Sequence, residues 1–68
     1  MATTMFFERV LTDEGGKTKM EIEFGRSSFY RKNLFYIVVD GKTLIMSDHD
    51  GREFCEQVQE AGIYLGYL

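Results

Sequence analysis

The chain predicts an α+β fold: an antiparallel β-meander of four strands with one C-terminal α-helix packed on one face, ending in a short final strand or running on as helix (ββββα or ββββαβ). Three observations carry this. Residues 17–24 alternate strictly, with Met20, Ile22 and Phe24 on one side and Lys19, Glu21 and Glu23 on the other, the pattern of a strand with one dry face. Leu34–Val39 is β-branched and aromatic without a polar break, and Asp40-Gly41, a favoured type I′ hairpin pair, follows it. After the capping residues of 47–50, Phe54, Val58 and Ala61 recur at i, i+4 and i+7, the stripe of a helix laid on a sheet.

The first strand is read over 5–12, where Phe6 and Val10 and the set Met5, Phe7 and Leu11 offer apolar groups to both faces and leave the register open. Asp13-Glu14-Gly15-Gly16 supplies turn chemistry to the second strand, 17–24. Gly25, Ser27, Ser28 and Asn33 are turn formers, so 25–33 reads as a loop. The third strand, 34–39, is the expected centre of the core, and 43–46 returns antiparallel to it. Both Ser47-x-x-Asp50 and Asp50-x-x-Glu53 match a capping box, the second with the preferred Glu, which starts the helix at Asp50. Arg52, Glu53, Glu56, Gln59 and Glu60 form its wet face, with Gly62 as C-cap. Residues 63–68 then form a final strand or, since Leu65 and Leu68 extend the apolar stripe, continue the helix; Gly62 and Gly66 favour the strand.

At 68 residues the chain holds one small domain and one core. A domain of this size with no evident disulfide or metal staple is expected to lean on self-association. Six Phe and four Tyr within a 44% hydrophobic composition exclude disorder. The net charge of −3 disfavours a primary role on nucleic acid, where Lys and Arg dominate affinity. The lone Cys55 fits a reducing compartment and, beside Phe54, is expected to be a buried small hydrophobe. Residues 1–5 carry no basic region followed by an apolar stretch, so a soluble cytoplasmic protein without membrane contact is expected.

Ionisable groups of catalytic or ligand type concentrate in Asp48-His49-Asp50-Gly51-Arg52-Glu53. Imidazole and carboxylate suit a transition metal, and Asp-x-Asp-Gly resembles a fragment of a calcium loop without the Glu that completes one. The same residues at a helix start complement free N–H groups and the macrodipole, which is the preferred reading. A Cys55–His49 nucleophile pair fails because His49 lies nearly two turns from Cys55. Glu21 and Glu23 share the wet face of an ordinary alternating strand. With no phosphate loop or zinc spacing, the chain is expected to be non-enzymatic, without catalytic residues, metal or cofactor.

Two segments remain for function. The apolar end, Tyr64, Leu65, Tyr67 and Leu68, either completes the sheet or covers a partner, by β-addition among other routes; with the acidic Glu53, Glu56 and Glu60 it forms the candidate partner interface. Arg26, Phe29, Tyr30, Arg31 and Lys32 interleave cations and aromatics, the recipe for sequence-tolerant single-strand binding and the alternative site; the plainer reading folds Phe29 or Tyr30 over the core. The element order, and Gly41-Lys42-Thr43-Leu44-Ile45-Met46-Ser47 before the helix, resemble the transcriptional coactivator family that binds single-stranded DNA as a dimer. That short resemblance implies single-stranded nucleic acid as the alternative partner, although the strands lack that family's abundant basic residues. The leading expectation is a small protein-interaction module: a homodimeric adaptor, or an inhibitor such as a phage carries, with itself or another protein as partner.

Overall fold

The computed structural model describes residues 2–68 as four strands, β1 (Thr3–Thr12), β2 (Lys19–Ser27), β3 (Leu34–Val39) and β4 (Lys42–Ile45), followed by one helix, α1 (Asp48–Tyr64). All pairings are antiparallel and the strands lie in chain order, which makes β1 and β4 the edges. This is the predicted meander and helix, in the ββββα form: no strand follows α1 among the described residues.

Turn chemistry sets the hairpins. Asp40 and Gly41 both have positive φ, 49° and 81°, as a type I′ turn requires. Asp40 also exchanges hydrogen bonds with Glu21, donating its N–H to the Glu21 carbonyl and accepting the Glu21 N–H on Oδ1, which ties this turn to β2. Between β1 and β2 the Gly16 N–H bonds the Asp13 carbonyl, with Gly16 at φ 81°.

The ambiguous face of β1 is settled by a bulge. Pairing shifts between Met5 and Phe7, so Phe6 drops out of the ladder and the apolar set changes face. Gly25 lies opposite, where a Cβ would collide with the Thr4 carbonyl oxygen. Gly25 is thus a glycine of close approach, and β2 runs on through Arg26 and Ser27, correcting the expectation that 25–27 belong to a loop. Arg26 donates to Thr4 Oγ1 and, at 3.0 Å, to Asn33 Oδ1, joining β1 to the end of the following turn.

Register divides the sheet cleanly, because directly paired residues share a face. The helix side carries Phe7, Leu11, Met20, Ile22, Phe24, Phe35, Ile37, Val39 and Leu44. A row of aromatic rings crosses it, Phe7–Phe24–Phe35–Phe54, with centroids 5.0, 5.7 and 5.8 Å apart. The outer side carries Glu8, Val10, Glu21, Glu23, Tyr36 and Val38. Leu34 and Tyr36 of β3, with Met46, are the buried apolar residues, so the expected core strand is the core strand.

The helix begins earlier and ends later than the sequence suggests. Ser47, extended at ψ 162°, is the N-cap, its Oγ accepting the Asp50 N–H at 3.1 Å. A start at Asp48 also lets Arg52 reach back one turn to Asp48 at 2.9 Å. At the far end Leu65 is the C-cap and Gly66 takes the positive φ of 81°; Gly66 N–H bonds Ile63 O and Tyr67 N–H bonds Gly62 O, a Schellman motif. Gly62 therefore lies inside the helix, and the favoured final strand over 63–68 is corrected to a last helical turn and its cap. Leu68 folds back over Gly62, where a Cβ would stand 2.8 Å from Leu68 Cδ1.

Candidate interaction surface

The apolar stripe of α1 is seated for half its length. Gly51 is buried against β3: a Cβ there would lie 3.3 Å from Phe35 Cβ and 3.8 Å from Met46 Cβ, so the missing side chain sets how closely the helix approaches. Phe54 continues the contact through Phe35. Beyond Phe54 the stripe meets no cover among the described residues, with Val58 and Leu65 each 56% exposed and Ala61 exposed between them. Between β4 and α1 opens a groove of about 480 Å³ lined by Leu44, Met46, Phe54 and Gln57.

The predicted interface residues gather at this end of the molecule. Tyr64, 89% exposed, closes α1, Leu65 caps it, and Tyr67 and Leu68 stand exposed after the Schellman turn. No strand forms over 63–68, so the tail presents no strand edge in this fold. Glu53, Glu56 and Glu60 lie exposed on α1. Cys55, expected to be buried, is exposed.

The basic-aromatic segment is divided. Arg26 is held by Thr4 and Asn33 within the strand region, whereas Phe29 and Tyr30 pack edge to face, centroids 4.9 Å apart, and both stay exposed with Arg31 and Lys32. Neither ring folds over the core, contrary to the plainer expectation. Arg31, at φ 70°, holds the turn through its N–H to the Ser28 carbonyl.

The helix start brings ligand atoms of His49, Asp50 and Glu53 within 4.8 Å of one another, all three residues exposed. They stand at the positive end of the helix dipole, a setting that favours anions over cations. The Arg52 guanidinium, hydrogen-bonded to Asp48, holds that carboxyl below its usual range, with smaller help from Lys32 and His49. On the outer face Glu8 pairs directly with Glu23, and the Tyr36 hydroxyl donates to Glu23. Burial first, and then that carboxylate, push the Tyr36 phenol up to about 12.

Three of these features were missed from the residues alone. Gly51 carried the best signal, being a glycine one turn before Phe54 on the stripe. The Tyr36–Glu23 bond and the tethering of Arg26 depend on register and on the bulge, which no local pattern reports. No helix of the described residues is long and apolar enough to cross a membrane. Compared with family models, curated proteins and solved structures, the chain matches none.

Proposed function

We propose that this chain is a non-enzymatic protein-interaction module that docks through the apolar side of α1 and its C-terminal turn. The supporting observation is the stripe itself: Val58, Ala61 and Leu65 continue the side that Gly51 and Phe54 bury, and nothing among the described residues covers them. Glu53, Glu56 and Glu60 lie on the opposite, wet side of α1, where their charge steers encounter and selects partners. Affinity capture with the tagged chain and its Val58→Asp/Leu65→Asp variant tests this reading, with an untagged copy of the chain included among the preys. Proteins held by the native chain and lost by the variant are the expected result; an unchanged set from a folded variant overturns it.

A second reading is favoured by the exposure of the Phe29–Tyr30 pair beside Arg31 and Lys32: weak binding of single-stranded nucleic acid, with bases stacking on the rings. Glu8, Glu21 and Glu23 oppose it by making the outer sheet face acidic. A salt-dependent shift of oligonucleotides, lost in Arg31→Ala/Lys32→Ala, is expected from it, and absence of binding at low salt ends it.

A further inference from the structure

We infer that the occupant of the apolar surface is a second copy of this chain, arranged about a two-fold axis so that the overhanging half of each α1 lies on the helix-side face of the other sheet. The inference rests on the docking surface proposed above and names its partner.

Area is the first argument. The chain exposes 5773 Å², whereas a folded chain of 7.9 kDa is expected to expose about 4,400 Å². The radius of gyration is 13.4 Å, against about 11 Å for a compact chain of this length. The surplus of roughly 1,400 Å² per chain, buried from both copies, gives an interface within the range of obligate homodimers.

Shape is the second. The sheet's helix-side face already accepts this stripe, since Gly51 and Phe54 lie on Phe35. The rest of that face leaves Leu11, Met20 and Leu44 exposed, and the rest of the stripe leaves Val58 and Leu65 exposed. Stripe and sheet face are thus both left exposed on one molecule. A two-fold lets each stripe meet the other copy's sheet reciprocally, as an isologous interface demands.

Charge is the third. By register the charged positions on the sheet's helix-side face are Arg9, Arg26 and Lys42, with no Asp or Glu among them, while the exposed face of α1 carries Glu53, Glu56 and Glu60. The acids of β1 and β2 fall on the outer side instead, as Glu8, Glu21 and Glu23. Because those acids lie on the side of α1 away from the stripe, laying the stripe on the other copy's cationic sheet face sets no carboxylate against a carboxylate, although each chain carries −3 overall.

The test uses the full chain. Sedimentation equilibrium from 1 to 100 μM should give twice the 7.9 kDa chain mass at the upper end. Val58→Asp should raise the dissociation constant by at least about 100-fold, because it places an unpaired charge in the seam. Amide exchange of the native chain guards against a variant that does not fold. Protection over 58–65 should rise with concentration. Protection gained along β1 instead would show edge pairing and overturn the arrangement. A monomer at 100 μM with a radius of gyration near 13 Å overturns self-association and leaves the docking surface to another protein. A monomer near 11 Å, with the stripe protected at every concentration, overturns both.

Discussion

The two halves of α1 share one apolar stripe and meet opposite surroundings. Gly51 and Phe54 are packed on Phe35, whereas Val58 and Leu65, on the same side of the same helix, face solvent. The contact ends before the strand does. A helix of 17 residues is about 25 Å long and meets β3 through its first two turns, about 10 Å, although β3 itself spans about 20 Å. A helical period therefore reports that a face needs cover; whether the cover comes from the same chain depends on how long the helix stays against the sheet.

The sharpest test of that contrast compares Phe54→Ala with Val58→Ala. Phe54 is 38% exposed, so its loss should cost less than a fully buried Phe, about 2 to 3 kcal/mol, and should lower the urea midpoint at every protein concentration. Val58→Ala should change the midpoint in dilute solution by less than about 0.5 kcal/mol, as exposed substitutions do. Its effect should emerge as concentration rises and the dimer forms. If both variants lose the same amount in dilute solution, the free half is covered within the chain and the contrast is gone.

What the residues revealed and what they hid divide along the same line. The strands β2 to β4, the Asp40-Gly41 turn and the helical stripe rest on short-range periodicity and turn chemistry, which the chain writes locally. The bulge at Phe6 escaped because it depends on Gly25, nineteen places along, having no Cβ to obstruct Thr4. The end of α1 escaped for a different reason. Gly62 and Gly66 look alike in sequence, yet Gly62 stays helical under Leu68 and Gly66 alone takes the left-handed cap. Cys55 lies beside Phe54 in sequence, yet that neighbour's contact with the sheet does not bury it. The interface residues at Tyr64, Leu65, Tyr67 and Leu68 were found together as an apolar end, but their conformation was not.

Tyr36 provides a control from the outer face, where the chain meets its own needs. Tyr36→Phe removes the hydrogen bond to Glu23 and leaves that carboxylate facing Glu8, at an expected cost of about 1 to 2 kcal/mol independent of concentration. The phenol is raised to about 12 in the fold, above its ordinary value near 10. Its contribution is thus fully present below pH 10 and is lost as pH rises through 12. Native protein should lose stability across that window, and Tyr36→Phe should lack that component of the slope. Equal slopes in both chains would show that Tyr36 ionises as freely folded as unfolded.

The smallest effects discriminate best, because the same substitution can be made in each half of the helix. At Gly51 an added methyl meets Phe35 Cβ at 3.3 Å and Met46 Cβ at 3.8 Å, atoms fixed close to the backbone, so α1 must lift from the sheet. Alanine's helix preference of about 1 kcal/mol offsets part of that cost, and Gly51→Ala should come out destabilising by about 1 kcal/mol or less. At Gly62 the methyl meets the Leu68 side chain alone, Cδ1 at 2.8 Å and Cγ at 3.0 Å, which is exposed and can turn away. Gly62→Ala should therefore stabilise the dilute protein by about 0.5 to 1 kcal/mol. Opposite signs in dilute solution are the signature of one seated and one free half, and like signs remove the distinction. A Gly62→Ala gain that turns into a loss only at high concentration would place the second copy against that turn of the helix, because only an intermolecular neighbour adds crowding with concentration.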